Sequence, residues 1–369
     1  MRIAHVADTH LGFSAYRRVD EATGLNQREV DLYEAFRRAV DEALGQKVDA
    51  LVHAGDLFDS VRPSNRAISF AMEQLHRLTE AGIEVVVIAG NHSTPRLRET
   101  GSVFKILEHV PGVHAIYRGT LEQVTVGDCR VHAVPHDEAA TMQAEMHKAV
   151  PDKGHKYNLL TVHAGFVGLA AYGGGEFNET LLQTSLLDND MDYNALGHYH
   201  RHVDLDARSA YSGSTEKLSF GEAREDKGII VVDLAKGKRH FRPLPCRPMI
   251  DLPPLHAKGL SAVELQRQAS ALLQGTPEGA LLRLTFRELS AAQYRSLDLA
   301  GLRQEAAQAM HLEMRFDLSE QASSKGSGLS IGPLEREFSS FLERFPTSGS
   351  DKDRLRTLAT RYLERREEQ

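Results

Sequence analysis

The stretch VVVIAGNHSTP (residues 85–95) begins as a short apolar run and changes character at Gly90. Asn91 and His92 follow at once, so the pattern predicts a buried strand that ends in a tight turn carrying an amide and an imidazole. Four other segments repeat the pattern of an apolar run followed by polar, metal-capable side chains: RIAHVADTH (2–10), DALVHAGDLFD (49–59), NLLTVHAG (158–165) and YNALGHYH (193–200). Open α/β sheets place their sites at the carboxyl ends of strands, so we expect these five strand ends to converge.

Amphipathic segments separate the first of these strands. Residues 28–46 carry Leu32, Phe36, Val40 and Leu44 at every fourth position, and residues 64–82 have a similar helical spacing. Both segments reach a glycine, which predicts a helix C-terminal cap. Strands alternating with helices predict a layered α/β core, with β-sheets flanked by helices, over residues 1–245.

The rest of the chain has a different organisation. A proline-rich stretch at 243–254 predicts an inter-domain connection, and residues 246–318 alternate helical and strand patterns, as a small α+β domain does. Residues 319–332 are rich in serine and glycine and predict a flexible linker. Residues 333–369 predict two amphipathic helices, a helix–loop–helix segment too small to be stable alone. We expect it to dock on another protein, and docking onto its own core is the alternative.

Composition excludes several classes of protein. The formal charge is −7, and its acidic excess falls within residues 1–245, which argues against a diffuse basic coat for nucleic acid. No apolar run approaches the roughly 20 residues of a membrane span, and the first ten residues are too polar for a signal peptide. Cys129 and Cys246 have neither metal-site nor disulfide spacing. We expect a cytoplasmic protein with no membrane partner.

The side chains at the five strand ends have a common chemistry. Within the pairs Asp8/His10 and His198/His200 one residue intervenes, so in an extended segment both members would point to one side. Carboxylate, imidazole and amide ligands without thiolate suit manganese, iron or zinc, and magnesium less well. The candidate ligands are too many for one ion: Asp8, His10, Asp56, Asn91, His163, His198 and His200.

Two ions sharing a carboxylate predict hydrolysis of a phosphoester, because paired metals stabilise both the attacking and the leaving oxygen of an in-line displacement at phosphorus. Any one of these histidines alone would be taken for a surface or core residue, and Asn91 for a turn residue. Their joint occurrence at five strand ends favours the metal site.

The motifs DxH, GDxxD, GNH, VHxG and GHxH, in this order, resemble those of the calcineurin-type metallophosphoesterases. The segments NQREVDLYEAF, GDLFDSVRPS and YSGSTEKLSFGEAREDKGIIVVDL further resemble the SbcD/Mre-eleven nucleases of double-strand break repair. The resemblance runs through residues 1–245. The small domain and the C-terminal segment match that family's DNA-capping domain and ATPase-docking element in place and size.

The resemblance implies roles for individual residues. One metal would be held by Asp8, His10, Asp56 and His200, and the other by Asp56, Asn91, His163 and His198. His92 would stay off the metals and act on the scissile phosphate, either stabilising the transition state or protonating the leaving 3′ oxygen. Two positions depart from the family pattern: Ser93 stands where a carboxylate often orients the catalytic histidine, and Asp59 where archaeal and eukaryotic relatives carry a second histidine. We expect Asp59 to lie behind a metal-bound histidine.

The function implied is a DNA nuclease with two divalent metal ions, manganese being favoured over magnesium. It would act on double-stranded ends and single strands, as a 3′–5′ exonuclease and/or single-strand endonuclease. Its partners would be a second copy of the chain and an SbcC-type coiled-coil ABC ATPase bound through residues 333–369. The protein would be cytoplasmic and associated with the nucleoid. Arginines that could contact DNA follow the ligand motifs, although each could equally be an ordinary surface residue: Arg17, Arg18, Arg62, Arg66, Arg96 and Arg98.

Two alternatives remain open. The same five motifs would serve a phosphodiesterase acting on a small molecule, against which stand the roughly 120 residues beyond the metal core. A binding scaffold with a vestigial site is the other alternative, and the intact ligand set argues against it.

Overall fold

The computed structural model describes residues 1–95, 101–168, 180–319, 338, 342, 351–355, 357 and 358. Its strands are β1 (Arg2–Val6), β2 (Ala50–His53), β3 (Glu84–Ile88), β4 (Val113–Ile116), β5 (Glu122–Val126), β6 (Cys129–Val134), β7 (Tyr157–His163), β8 (Gly165–Phe166), β9 (Leu181–Leu182), β10 (Tyr193–Gly197), β11 (Val203–Asp204), β12 (Ser209–Tyr211), β13 (Gly228–Asp233), β14 (Lys238–Pro243), β15 (Met249–Asp251), β16 (Leu255–His256), β17 (Leu281–Leu289) and β18 (His311–Leu318). Its α-helices are α1 (Gln27–Gly45), α2 (Asn65–Glu80), α3 (Phe104–Leu107), α4 (Ala139–Lys148), α5 (Ala262–Leu273), α6 (Ala291–Ser296) and α7 (Leu299–Glu305).

The strands that carry the site belong to two six-stranded sheets. The first sheet has the order β14-β13-β1-β2-β3-β4 and the second β11-β12-β10-β7-β6-β5. All five strands expected from the sequence are confirmed, as β1, β2, β3, β7 and β10. They are not in one sheet, however, because β1, β2 and β3 run parallel in the first sheet while β7 and β10 run parallel in the second.

The two sheets pack face to face and helices cover their outer faces. Val52 and Ile88 of the first sheet meet Leu159 and Ala195 of the second in one apolar cluster. On the outside of the first sheet, α1 and α2 pack their apolar faces against alternate residues of the same strands, and α4 covers the second sheet through Met142. The expected layered α/β core is therefore present, as a helix–sheet–sheet–helix stack.

Both long helices begin at a side-chain cap. Asn26 accepts a hydrogen bond from the backbone N–H of Arg28, and Ser64 from that of Ala67, which satisfies N–H groups that lack a partner within the helix. At the other end, only α2 stops as expected, with Gly82 following at a φ of 78°. Gly45 is the last residue of α1, and Lys47 takes the left-handed position instead with a φ of 51°.

Strands β15–β18 form a separate sheet in which β17 is central. Leu265 of α5 and Leu302 of α7 pack with Leu282 and Phe286 of β17 in one apolar cluster, and the short helix α6 precedes α7. The domain boundaries 1–245, 246–318, 319–332 and 333–369 remain predictions. Nearly all of the linker and most of the C-terminal segment lie outside the described residues.

Arg247 links the small sheet to the layered core. Its guanidinium donates two hydrogen bonds of 2.6 Å to the carboxylate of Asp31 in α1 and a third, of 2.8 Å, to the carbonyl of Gly279 before β17. Asp31 is only 9% exposed and also accepts a hydrogen bond from the fully buried Arg28. The junction is thus a partly buried charge network, and its geometry depends on Arg247.

Across the described residues, no helix combines the length and apolar character needed to cross a membrane.

Candidate metal centre

The metal-capable side chains meet where the carboxyl ends of the two sheets come together. The segments after β1 and β2 continue side by side beyond the strands, joined by hydrogen bonds of 3.0 Å from Asp8 N–H to Gly55 O and from His10 N–H to Asp56 O. From the second sheet, His198 N–H donates to both carboxylate oxygens of Asp8, at 3.1 and 3.2 Å. The two sheets are therefore tied to each other through the candidate ligands themselves.

Four of the candidate ligands have left-handed backbone conformations. The φ angles are 52° at Asp8, 45° at His10, 52° at Asp56 and 103° at His198. The expectation that Asp8 and His10 share an extended segment is therefore wrong, although the fold does bring them together. Such conformations cost about 1–3 kcal/mol each for residues other than glycine, and they concentrate at functional sites.

Two glycines let the strand ends approach closely. A Cβ atom at Gly90 would lie 2.2 Å from Asp56 Oδ1, and one at Gly197 would lie 1.9 Å from the carbonyl oxygen of Ala54. The glycines before Asp56, Asn91 and His198 predict tight turns, and Gly55, with a φ of 101°, has the left-handed conformation that favours glycine. Gly90 and Gly197 have no positive φ, so their role is to leave room for the neighbouring strand end.

The first group of ligands comprises Asp8, His10 and His200, whose ligating atoms all lie within 4.8 Å of one another. His10 Nδ1 faces Asp59 Oδ1 at 3.2 Å and His200 Nδ1 faces Glu222 Oε1 at 3.4 Å. A carboxylate only accepts, so both Nδ1 atoms carry hydrogen and both Nε2 atoms present lone pairs in the neutral rings. These Nε2 atoms lie 3.1 Å apart, an arrangement that a cation between them would stabilise.

The second group has the same character. His163 Nδ1 donates to the Ala54 carbonyl at 2.8 Å, so its Nε2 presents a lone pair, 2.8 Å from Asn91 Oδ1 and 3.2 Å from Asp56 Oδ2. His198 Nδ1 lies 3.2 Å from the same Asn91 oxygen. Asp56 Oδ2 is buried and has no hydrogen bond of good geometry to any described residue. Acceptor atoms converge here as well. Asp8 belongs to both groups, since one of its carboxylate oxygens lies within 4.8 Å of the ligating atoms of His10 and His200, and one lies within 4.8 Å of those of Asp56 and His163.

The electrostatics favour positive charge at this point. Burial alone would lower the pKa of His163, but the carboxylates of Asp56 and Asp8 raise it to about 9. Burial alone would raise the pKa of Asp56, yet the His163 imidazole beside it holds that pKa well below its usual range. A field that favours a proton on His163 also favours a divalent cation, which would displace that proton. The donor set therefore fits divalent metal ions.

His92 stands beside the ligands. Its ring packs edge-on against His10, with centroids 4.7 Å apart, and the side chain is 31% exposed. His92 Nδ1 donates to the backbone carbonyl of Asp59 at 2.9 Å, and the Asp59 carboxylate lies 3.8 Å from the same nitrogen. Ser93, where relatives often carry a carboxylate, is fully buried. The acceptor that orients His92 is thus the main chain of Asp59.

The arginines expected at DNA are on the surface. Arg17, Arg18, Arg62 and Arg66 are all exposed, and none has an ion pair or hydrogen bond to a candidate ligand within the described ranges. Arg66 lies in the first turn of α2, not in a loop, and pairs with Glu29 at 3.8 Å. Arg96 and Arg98 lie outside the described residues.

Sequence reasoning assigned no role to Glu222 or Lys227, although both lie in a segment quoted for its resemblance. Glu222 contacts His200, and the ammonium group of Lys227 lies 2.7 Å from Glu222 Oε2. Neither belongs to a periodic pattern, and an acidic residue beside a lysine in a polar stretch predicts an exposed turn. Both are buried, and this burial is the signal that only the structure provides.

Three proteins named DNA double-strand break repair protein Mre11 are similar to the chain. They come from Methanococcus maripaludis, Sulfurisphaera tokodaii and Methanopyrus kandleri, and they are 28%, 30% and 30% identical to it. The alignments cover 64%, 63% and 62% of this chain. They cover 63%, 60% and 51% of those relatives, so the chain matches about half to under two thirds of their length.

The sequence model of the family described as Calcineurin-like phosphoesterase matches residues 1–202 of the chain. This range includes every strand end that supplies a candidate ligand, and it confirms the resemblance seen in the motifs. Because the match extends over more than half of the 369 residues, the chain belongs to the calcineurin-like phosphoesterase family.

Proposed function

We propose that the chain is a DNA nuclease that hydrolyses phosphodiester bonds at a centre of two divalent metal ions. The observation that carries the proposal is the convergence of imidazole lone pairs on carboxylate and amide oxygens at two adjacent points, with Asp8 common to both. The first metal would be held by Asp8, His10, Asp56 and His200. The second would be held by Asp56, Asn91, His163 and His198.

When bound, paired divalent ions supply Lewis-acid activation of water and charge stabilisation at phosphorus. The chain's own contribution is to fix the donors. His10 and His163 are held by hydrogen bonds from Nδ1 to Asp59 and to the Ala54 carbonyl, so each ring keeps its Nε2 directed into the site. Manganese is favoured because imidazoles make up a large share of the donors, while magnesium prefers oxygen.

His92 would act on the substrate itself. With Nδ1–H committed to the Asp59 carbonyl, the opposite nitrogen is the one that can hold a proton for the leaving 3′ oxygen. The Asp59 carboxylate, 3.8 Å from Nδ1, would stabilise the imidazolium form. Asp59 would thus serve two rings at once, His10 through its side chain and His92 mainly through its main chain.

DNA as the substrate is supported by the names of the relatives, which are proteins of DNA double-strand break repair. We propose double-stranded ends and single strands as the targets, through 3′–5′ exonuclease or single-strand endonuclease action. The exposed arginines Arg17, Arg18, Arg62 and Arg66, together with Arg96 and Arg98, would contact phosphates, and residues 246–318 would cap the DNA.

We further propose an SbcC-type coiled-coil ATPase as the partner of residues 333–369, and a homodimer as the working form. Leu355 and Leu358 in this segment are 40% and 45% exposed. Apolar side chains of this size on a polar helix are the anchors that a partner groove would cover.

The proposal is tested by incubating the full chain with linear duplex DNA, with single-stranded DNA and with a chromogenic phosphodiester, in manganese and in magnesium. We expect manganese-dependent cutting of DNA that exceeds turnover of the small ester. Turnover of the ester with intact DNA would contradict the proposal and favour a phosphodiesterase for a small molecule. Binding of DNA without any hydrolysis, with both metals bound, would favour the scaffold alternative.

A further inference from the structure

A short turn beside the centre joins His200 to the small sheet. The residues Phe220–Glu222 form a 3-10 helix that follows Ser219. Phe220 points toward the small sheet and packs in a cluster with Met249 and Leu281. Two residues later, Glu222 contacts His200, so one three-residue turn has opposite ends in the small sheet and in the candidate metal centre.

Glu222 is held by several hydrogen bonds as well as by charge. Its Oε1 accepts from Ser219 Oγ at 3.1 Å, and its Oε2 accepts from the backbone N–H of Leu218 at 3.2 Å. It is only 8% exposed. A buried carboxylate with this many donors has one orientation, and that orientation directs Oε1 at His200 Nδ1.

Lys227 completes the arrangement from the other side. Its side chain is fully buried, with the ammonium group 2.7 Å from Glu222 Oε2 and 2.8 Å from the carbonyl oxygen of His200. A third contact, of 2.9 Å, goes to Glu225 Oε2. Lys227 therefore binds both the main chain of His200 and the carboxylate that faces its ring.

The support of His200 mirrors that of His10. His10 Nδ1 faces the carboxylate of Asp59 at 3.2 Å, and His200 Nδ1 faces that of Glu222 at 3.4 Å, while the two Nε2 atoms meet at 3.1 Å. The two carboxylates differ in exposure, because the side chain of Asp59 is 30% exposed and that of Glu222 is 11% exposed. The Glu222 side is the more rigid of the two, since it also has a buried counter-ion.

We propose that Glu222, backed by Lys227, is the positioning residue that keeps His200 in its Nδ1–H tautomer with Nε2 directed at the first metal. The proposal rests on the two-metal function given above. A carboxylate behind a metal-bound histidine fixes the ring and raises its basicity, and loss of such a partner typically lowers metal affinity by about 10–100-fold. The effect should fall on the first metal, because Glu222 contacts His200, a proposed ligand of that metal alone, whereas His163 of the second is oriented by the Ala54 carbonyl.

The test is a titration of the metal-free full chain with manganese chloride. Ion binding is measured by calorimetry, and the spectrum of the bound manganese by electron paramagnetic resonance. We expect two ions per chain in the unaltered protein, with the spectrum of a coupled pair. Glu222→Leu, which removes the acceptor for His200 Nδ1–H, should bind one ion as before and the other about 10–100-fold more weakly, so that a single-ion spectrum appears at intermediate manganese. Glu225→Gln, which removes the other carboxylate on Lys227, is the matched control and should bind both ions normally.

A second variant separates positioning from stability. Glu222→Leu combined with Lys227→Met removes both buried charges, so its melting temperature should recover relative to Glu222→Leu alone, while one ion still binds weakly. Two ions of unaltered affinity in either variant would overturn the proposal. An unaltered protein that binds fewer than two ions would instead contradict the two-metal function itself, so the two failures are distinguishable.

Discussion

One methyl group added at Gly90 should disrupt the candidate metal centre. In Gly90→Ala the new Cβ would lie 2.2 Å from Asp56 Oδ1, 2.6 Å from the Asp56 backbone nitrogen and 2.7 Å from its Cγ. Asp56 cannot simply rotate away, because Oδ1 also accepts the N–H of His92 at 3.0 Å. Either the Asp56 side chain or the strand ends around it must move.

The size of that movement follows from the distances. Ordinary contact for a Cβ begins near 3.4 Å, so Oδ1 must retreat by about 1.2 Å and the backbone nitrogen by about 0.8 Å. Metal–ligand distances hold within about 0.2 Å, so a shift of this size would remove Asp56 from both of the proposed metals. Overpacking of this kind also costs about 1–3 kcal/mol of folding free energy, which leaves a folded but less stable protein. We expect affinity for both ions to fall by at least about 100-fold and cleavage to fall with it.

Gly45→Ala is the matched control. Gly45 ends α1 with no positive φ and no heavy atom within 4 Å of an added Cβ. Alanine there should leave metal binding unaltered and stabilise the fold by about 0.4–1 kcal/mol. Manganese calorimetry and thermal unfolding of both variants are the assays. A Gly90→Ala protein that binds two ions with unaltered affinity would refute the argument that the site depends on this close approach.

Three further predictions concern catalysis, the junction and the partner. His92→Gln should keep both metal ions, by calorimetry, and lower the cleavage rate about 10²–10⁴-fold, and retained activity would contradict its role as the acid. Arg247→Ala should cost about 3 kcal/mol in urea unfolding because Asp31 is buried, whereas Arg242→Ala, which removes an exposed pair with Glu42, should cost about 0–1 kcal/mol. Deletion of residues 333–369 should preserve manganese-dependent cleavage and abolish co-purification with the coiled-coil ATPase, and an undiminished complex would argue against this docking segment.

The ligand-bearing strands could be predicted because each ends a short apolar run, and α1 and α2 because their apolar residues recur at helical spacing. The division of those strands between two sheets could not. A parallel strand buried on both faces has the same continuous apolar pattern in either sheet, and only its pairing with neighbouring strands in the structure assigns it to one sheet. The local apolar pattern predicts that a strand exists, but it does not determine which strands pair with it.

The hydrogen-bond acceptors that orient the histidines of the candidate site were harder to predict than the histidines themselves. The carbonyls of Ala54 and Asp59 orient His163 and His92, and a backbone acceptor has no sequence signature. Ser93 in place of a carboxylate indicates that another acceptor orients His92, but the sequence does not identify that acceptor. Glu222 comes from a 3-10 turn 22 residues after His200, too far along the chain for any spacing rule to connect them.

The backbone strain at the ligands explains why the centre needs so much support. Left-handed conformations at Asp8, His10, Asp56 and His198 together cost several kcal/mol, on the order of the whole stability of a domain. They persist because hydrogen bonds such as those from Asp8 N–H to Gly55 and from His198 N–H to Asp8 fix the same segments from outside. The free-energy cost of this strain arises when the sheets pack. It does not arise again when ions bind, because the metal-ligating atoms already converge. Ligand geometry in this fold is thus a property of how two sheets meet, and a change that loosens their contact should weaken the site before it unfolds the protein.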